Sequence, residues 1–217
     1  MKRTVKAEIL DTLAHDDERA RRNRQDLRRI NSLLGNARWF ARTVFTQLNT
    51  GDRILDLGAG EGLLADLLSA DDLRVGRYTG VDLAPRPKHL RADFQWLRED
   101  LQTVSFDEAD VLIGNFILHQ FEDDVLKEIG SRIRQSNLRL IAFNETARYA
   151  MHRWQLCLIY PLLCDVSRHD GRVSIDAGFR GNELPELLGL GDEWALTVRR
   201  TFLGSYRLLA ERKQQPS

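Results

Sequence analysis

One carboxylate and three glycines stand close together in the sequence, a combination that suits the binding of a nucleoside. Asp56 is followed by Gly58, Gly60 and Gly62 at every second position. Glycine has no Cβ atom, so a ligand can lie directly against the main chain there. An apolar run precedes the glycines and an apolar segment follows them, which predicts a strand, a loop and a helix. Such a junction presents backbone N–H groups and the positive end of a helix to a ligand.

A second carboxylate follows the glycines at the spacing that ribose binding requires. Asp82 ends a predicted strand about 20 residues beyond the glycines, where an acidic residue binds ribose hydroxyls in nucleotide-binding α/β folds. A carboxylate that accepts from a 2′,3′-diol makes two charge-assisted hydrogen bonds, each worth roughly 1.5–3 kcal/mol. The neighbouring Leu83 is expected to pack on one face of an adenine ring. A turn-forming role for Asp82 before Ala84 and Pro85 is the structural alternative.

The spacing Asp56-x-Gly58-x-Gly60-x-Gly62 resembles the first motif of class I S-adenosylmethionine-dependent methyltransferases. The resemblance extends over about 52–121 and again near 194–213. It implies S-adenosylmethionine as the cofactor and S-adenosylhomocysteine as its product. The cofactor contacts that it implies come from four successive strand ends: Asp56, Gly58, Ala59, Gly60, Gly62, Asp82, Leu83, Asp100, Leu101 and Asn115.

The resemblance also implies roles within that set. Asp100 would accept a hydrogen bond from the adenine amino group, although Glu99 competes for this role, and the Leu101 backbone would meet the ring. Asn115 and Asp56 would hold the amino-acid part of the cofactor. The segment after the fourth strand is similar to that of small-molecule methyltransferases, where a Leu-His pair follows the strand. Phe116 and Ile117 replace the two prolines of the amino-methylating DNA and RNA enzymes, so the sequence disfavours nucleic acid as the acceptor.

Two histidines are candidate general bases. A hydroxyl acceptor must lose a proton, and an imidazole with a pKa near neutrality suits that step. His119 follows the fourth strand, with helix capping as its structural alternative. His169 lies in a polar stretch, 167–172, which we expect near the carboxyl end of the sheet. Three further residues are predicted to contact the acceptor: Glu145, Tyr149 and His152.

Two segments narrow the resemblance. The arginine-rich 26–36 and the polar 168–174 look like bacterial small-molecule methyltransferases encoded beside type III polyketide synthases, which act on phenolic products. This likeness implies an O-methyltransferase with a small aromatic or lipophilic acceptor. Arginines between Arg19 and Arg29 leave two alternatives open: a docking face for RNA or protein, or a solvated face neutralised by neighbouring acids. A third alternative is a cofactor-binding protein without catalysis.

Strands and helices alternate from residue 53 onward, which predicts a doubly wound, mostly parallel sheet of the Rossmann-like α/β class. Only 203–205 separates the last two strands, too short for a crossover, so they must form an antiparallel hairpin. The predicted strands are 53–58, 77–83, 93–98, 109–116, 138–145, 195–202 and 206–213, and the predicted helices of this part are 62–70, 86–91, 122–135 and 182–189.

The first 50 residues read as three helices that form a cap. Apolar residues at 5, 9, 10 and 13 predict the first helix, and Leu27, Ile30 and Leu34 predict the second, with Gly35 as its C-terminal cap. The third starts near residue 36. We therefore divide the chain into a helical cap, 1–50, and a methyltransferase domain, 51–213, whose insert 146–192 covers an apolar acceptor pocket.

Composition and charge bound the remaining possibilities. The chain has 32 Lys and Arg against 32 Asp and Glu, so net charge favours neither nucleic acid nor anionic membranes. Cys157 and Cys164 lie in an apolar run and are interpreted as buried free thiols. The first residues lack the apolar core of a signal peptide, and the apolar run 154–164 is too short to span a membrane. We predict a cytoplasmic protein with a small-molecule acceptor and no membrane partner or metal site; no feature defines its oligomeric state.

Overall fold

The computed structural model describes residues 1–68 and 75–213 of the chain. Its helices are α1 (Glu18–Leu34), α2 (Asn36–Trp39), α3 (Asp123–Gln135), α4 (Ala150–Ile159), α5 (Asp165–Ala177) and α6 (Glu183–Leu187). Its strands are β1 (Asp52–Leu57), β2 (Val75–Val81), β3 (Gln95–Leu97), β4 (Val111–Asn115), β5 (Leu140–Thr146), β6 (Trp194–Arg200) and β7 (Ser205–Arg212).

The strands form one seven-stranded sheet with the order β3-β2-β1-β4-β5-β7-β6. The pairs among β1 to β5 are all parallel, whereas β7 runs antiparallel to both β5 and β6. The predicted hairpin is therefore confirmed, and its second strand is inserted between β5 and β6. The doubly wound, mostly parallel fold class is confirmed as well.

Both faces of the sheet are covered, which explains why its central strands are almost uniformly apolar. One face packs against α3 and α6, with Leu126, Ile129 and Leu184 fully buried. The other face packs against the segment after α2, where Phe40 and Val44 are fully buried. The predicted second and third helices are found in this region. Gly35 ends α1 with a φ of 66°, the left-handed conformation of a glycine C-cap.

The predicted first helix is wrong. Residues 1–8 are not helical, and Leu10–Thr12 form a single 3-10 turn. The Asp170 carboxylate of α5 accepts hydrogen bonds from the backbone N–H groups of Ile9 (2.8 Å) and Leu10 (3.1 Å). Arg3 binds the Asp123 carboxylate at 2.6 Å. Because tertiary contacts hold the backbone here, apolar periodicity predicted the wrong structure for this N-terminal segment.

Two predicted crossover helices are also replaced. After the glycines, the described residues contain only the 3-10 turn Ala65–Leu67, and 69–70 lie outside the described part. The predicted helix 86–91 is a series of turns, in a segment where prolines at 85 and 87 lack the N–H of a helix. By contrast, the polar stretch 167–172 lies inside a helix, α5.

The buried-thiol interpretation is wrong for Cys157, which is exposed, while Cys164 is partly buried just before α5. Helix α4 places Cys157 on the side opposite its buried residues His152 and Leu156. No helix within residues 1–68 and 75–213 combines the length and apolarity needed to cross a bilayer.

Candidate active site

A cleft of about 1170 Å³ lies at the carboxyl ends of the parallel strands. One half, the loop half, is formed by residues that follow β1, β2, β3 and β4. The other half, the helical half, is formed by the N-terminal segment, α1, α4 and α5. In open α/β sheets ligands bind at this edge, where the strand order reverses between β1 and β4. The lining includes ten of the predicted site residues: Gly58, Ala59, Gly60, Asp82, Leu83, Asp100, Leu101, Asn115, His119 and His152.

The glycine loop is a cradle without side chains rather than a set of free N–H groups. Gly58 has a φ of 65°, and a Cβ atom there would lie 2.6 Å from the Ile117 side chain. The N–H groups of Gly58 and Ala59 donate to the Val81 carbonyl at 2.9 and 3.1 Å. Gly60 N–H donates to Asp82 Oδ2 at 2.8 Å. The expected free amides are therefore occupied, and the expected helix terminus is a short turn.

Asp82 makes the expected turn and also lines the cleft. Its Oδ1 accepts from Ala84 N–H at 2.8 Å, which makes the expected turn, and its Oδ2 braces Gly60. Carboxylate oxygens have further lone pairs, so the residue can also accept from hydroxyl groups in the cleft. Leu83 beside it is 67% exposed and presents a free apolar face. Asp100 accepts from Gln102 N–H at 2.9 Å and lines the same half of the cleft.

Asp56 and Gly62 do not line the cleft. Asp56 is 1% exposed and accepts a 2.6 Å hydrogen bond from the Tyr78 hydroxyl. Burial raises the pKa of Asp56 to about 7, although the bond from Tyr78 acts in the opposite direction. Gly62 packs near Leu90 on the far side of the loop. Asp56 stands beneath the glycine loop because the pleat of β1 turns its side chain into the sheet's packed face.

Asn115 belongs to a chain of side-chain amides that ties α1 to the sheet. Its Nδ2 donates to Asn31 Oδ1 at 3.0 Å, and its Oδ1 accepts from Asn144 Nδ2 at 2.9 Å. Asn31 also accepts from Asn36 at 2.9 Å. These bonds fix the position of α1 over the cleft. The sequence analysis gave no role to Asn31, inside the arginine-rich 26–36, or to Asn144 on β5, because their contacts join residues far apart in the chain.

The imidazole of His119 lies between two carboxylates. Its Nδ1 is 2.7 Å from Glu145 Oε2 on β5, and its Nε2 is 3.4 Å from Glu8 Oε1 on the N-terminal segment. Burial alone would lower the pKa of His119, but the hydrogen bonds to Glu145 and Glu8 outweigh it and raise the pKa to about 9. Glu145 is fully buried and accepts backbone N–H bonds from Ile117 and Leu118 at 3.0 and 2.8 Å.

The predicted acceptor residues separate in the structure. Glu145 stands behind His119 and does not line the cleft, because its oxygens are taken by the backbone and the imidazole. Tyr149 lies outside the lining, between the guanidinium groups of Arg180 and Arg200, whose carbons are 4.6 and 4.4 Å from its ring centre. His152 does line the cleft.

His152 has an unsatisfied ring nitrogen. Its Nδ1 pairs with Gln155 Oε1 at 2.8 Å, and the side chain is 3% exposed. Its Nε2 is buried with no hydrogen-bond partner among the described residues. A buried polar atom without a partner is costly, which marks this nitrogen as a ready ligand contact.

His169 lies outside the cleft. Helix α5 turns it to the opposite side, where it is half exposed and lines a separate surface depression with Trp154 and Arg172. Ser174, five positions further along the same helix, lies on the side that faces the cleft, and its hydroxyl donates a hydrogen bond to Glu8. The polar stretch therefore does lie near the sheet's carboxyl end, where Gly171 lines the cleft, but the His169 side chain faces away from the cleft and from His119.

Two cleft residues were missed by the sequence analysis. Glu8 was assigned to a helix that does not form, so its long-range contact with His119 could not be predicted. Phe116 has a φ of 58°, rare for a bulky residue and typical of functional sites. Its ring meets His119 edge-on, with 6.4 Å between ring centres. The signal for Phe116 was its position directly after β4, at the opening of the cleft.

No protein-family model matches the sequence, and no curated protein matches it. Solved structures do. One is the plantazolicin methyltransferase BamL, in complex with a triazolic desmethylPZN analog and S-adenosylhomocysteine (SAH). It has a TM-score of 0.68 at 11% identity, and the match covers 94% of this chain and 93% of that one. The plantazolicin methyltransferase BpumL, solved with a pentazolic analog and SAH, gives 0.62 at 13%, covering 87% and 91%.

Magnesium protoporphyrin IX methyltransferase (ChlM) from Synechocystis PCC 6803, with bound SAH, has a TM-score of 0.52 at 15% identity, and the match covers 85% of this chain and 84% of that one. Identities this low establish the fold alone. The chain has the Rossmann-like fold of these S-adenosylmethionine-dependent methyltransferases.

Proposed function

We propose that this chain is an S-adenosylmethionine-dependent methyltransferase that methylates a hydroxyl group of a small aromatic or lipophilic molecule. The observation that carries the proposal is the pair of His119 and Glu145, 2.7 Å apart, in a cleft whose other half suits a nucleoside. Three proteins of this fold that were crystallised with SAH, namely BpumL, BamL and ChlM, support the cofactor. The link to phenolic acceptors comes from the sequence resemblance.

The loop half fits the cofactor. Gly60 leaves room for a ligand against the main chain, and Asp82 offers acceptor oxygens to a ribose diol. Asp100 is available to an exocyclic amino group and Leu83 to a ring face. Neutral ribose and adenine groups need no anion-binding N–H cluster, which agrees with the occupied amides of the glycine loop. The bound cofactor would supply an electrophilic methyl group on a sulfonium.

The helical half supplies alignment and a base. Leu156, Ile159 and Ile175 line it with apolar surface that suits an aromatic or aliphatic acceptor. Glu145 holds the Nδ1–H of His119, and Nε2, 3.4 Å from Glu8 Oε1, is the atom that accepts the proton when the imidazole is neutral. Alignment of the acceptor with the donor can lower the barrier by roughly 7–11 kcal/mol. His152 Nε2 offers a hydrogen bond that orients a second polar group of the acceptor.

The arginine-rich helix favours this proposal over an RNA or protein acceptor. Arg24 and Arg28 of α1 both pair with Glu61 beside the glycine loop. Arg22 pairs with Glu18, and Arg29 with Asp26. Arg24 and Arg28 therefore brace α1 beside the glycine loop, and all four arginines are neutralised by carboxylates rather than presented as a docking face.

The test is label partitioning. The protein is incubated with S-adenosylmethionine labelled on the methyl group and an extract of its own host, which is then separated into organic-soluble, RNA and protein fractions. We expect label in the organic fraction, in a product whose methyl ether is identified by mass spectrometry. Label in RNA or protein would refute the acceptor class. Tight SAH binding with no label in any fraction would favour a cofactor-binding protein without catalysis.

A further inference from the structure

Helix α4 carries large apolar side chains on its outer face. Met151, Trp154, Leu158 and Leu162 recur every three or four residues, the last of them in the turn that follows the helix. Their exposed fractions are 37%, 75%, 79% and 74%. We call these four residues the apolar stripe. A row of protruding Trp, Leu and Met side chains is costly in water, and extended exposed apolar patches mark contact sites.

The stripe continues to the mouth of the cleft. Leu158 lines the cleft as well as the outer surface. Gln155 Nε2 donates to the Phe202 carbonyl at 3.1 Å, which joins the turn between β6 and β7 to α4. Phe202 and Leu203 on that turn are 72% and 42% exposed and also line the cleft. Whatever covers the stripe therefore also meets the cleft entrance.

The other side of the stripe is basic. The surface depression that adjoins Trp154 is lined by Lys6, Arg153, Arg168 and Arg172. Arg153 pairs with Asp176 and Arg168 with Asp165, so Lys6 and Arg172 supply the excess positive charge. Arg172 lies over the Tyr160 ring, 5.2 Å from its centre. A helix with Trp and Leu on one face and cationic side chains beside them is the arrangement of interfacial membrane helices. The excess of positive charge attracts anionic lipid headgroups.

We propose that the apolar stripe and its basic flank dock the protein on the surface of an anionic lipid bilayer, with the mouth of the cleft facing the lipid. Trp154, Leu158 and Leu162 would enter the headgroup boundary without spanning the membrane. If the acceptor is lipophilic, as in the function proposed above, it enters the cleft from the bilayer. The sequence prediction of no membrane partner rested on spanning length and net charge, which do not detect a surface patch.

The test is co-sedimentation of the full chain with vesicles of phosphatidylcholine alone or mixed with phosphatidylglycerol. We expect binding to the anionic vesicles that weakens with added salt. The double variant Trp154→Ser, Leu162→Ser should lower the bound fraction about tenfold, because it removes two of the side chains that enter the boundary. The matched control is Leu196→Ser on β6, which removes an exposed leucine, 41% exposed, outside the stripe. Thermal unfolding and SAH binding measured on every variant verify the fold, and they also report on the cofactor proposal independently of vesicle binding.

Three results would overturn the proposal. The first is that the wild-type chain does not sediment with anionic vesicles. The second is that the double variant binds these vesicles with the same bound fraction as wild type. The third is that Leu196→Ser lowers the bound fraction as much as the double variant does. Sedimentation velocity tests whether a second copy of the chain covers the stripe instead. If the wild-type chain is a dimer and the double variant is a monomer, the stripe is a dimer interface and the proposal is wrong.

Discussion

His119 Nδ1 lies 2.7 Å from Glu145 Oε2, and both groups are buried. The carboxylate is itself fixed by backbone N–H groups of 117 and 118, directly before the imidazole. One carboxylate therefore determines both the tautomer and the orientation of the histidine. This arrangement differs from the predicted one, in which Glu145 would have contacted the acceptor.

Replacement of the base should remove turnover and leave cofactor binding intact. We expect His119→Ala to lower kcat by about 10²–10⁴-fold, the range for loss of a general base. SAH affinity, measured by calorimetry, should change little. His169→Ala is the matched control, because it removes the same side chain outside the cleft and should retain activity. A loss of activity in the control with none in His119→Ala would reverse the assignment of the base.

Glu8 should set the pH at which His119 becomes a base. Its carboxylate helps to raise the pKa of His119, so the protonated imidazole predominates in the free protein below about pH 9. Glu8→Gln removes one of the two raising charges and should move the acidic limb of kcat/KM to lower pH by about one unit. Glu18→Gln, which changes an exposed carboxylate at the start of α1, is the control. An unchanged acidic limb in Glu8→Gln would show that Glu8 does not set the pKa of His119 in the free protein.

The raised pKa of His119 also has a stability consequence. A histidine whose folded pKa exceeds its unfolded value of 6.5 stabilises the fold fully below pH 6.5, and this contribution disappears as the pH rises through about 9. His119→Asn should therefore destabilise the protein more at pH 6 than at pH 9.5. Urea unfolding at the two pH values measures the difference, and an equal loss at both would contradict the buried ion pairs.

Asp56 should make the protein less stable as the pH rises. Its folded pKa of about 7 exceeds the ordinary value of 3.8, so the unfolded chain loses the proton first and stability falls between these two pH values. Asp56→Asn should remove that decline, with a gain of up to about 4 kcal/mol above pH 7, since one pKa unit corresponds to about 1.4 kcal/mol. Tyr78→Phe, which removes the bond that lowers this pKa, should extend the decline to higher pH. A flat profile in wild type would refute the burial of an ionisable Asp56.

Asp82 should contribute to cofactor affinity. Asp82→Asn keeps the size of the side chain but weakens acceptance from hydroxyl groups, so we expect SAH affinity to fall by about 10–100-fold. Asp66→Asn is the control: this carboxylate is exposed near the glycine loop and pairs with His89 at 3.5 Å. Calorimetry measures the SAH affinity of both variants. Equal SAH affinity in Asp82→Asn and wild type would exclude ribose binding at Asp82.

His152 should orient the acceptor without taking its proton. His152→Ala removes the unsatisfied Nε2, so the acceptor KM should rise about tenfold, the cost of one hydrogen bond, with little change in kcat. Steady-state kinetics separate the two parameters. A fall in kcat at unchanged KM would instead assign the proton transfer to His152.

The sequence by itself determined the sheet, its antiparallel hairpin and the loop half of the cleft. Those features depend on local signals: apolar runs, glycine spacing and a three-residue connection. Asp82, Asp100 and Asn115 follow from their places at strand ends, because parallel strands bring those ends to one edge.

Only the tertiary structure determined which residues form the helical half of the cleft. Glu8 contacts His119 across more than half the chain, and Asp170 holds the N-terminal segment in place of a helix. His169 faces away from the cleft because α5 includes the whole polar stretch, and Asp56 lies beneath the loop because its side chain pairs with Tyr78. Such contacts join residues distant in sequence, so no local periodicity or motif records them. Their geometry is set by packing and by the pairing of buried polar groups.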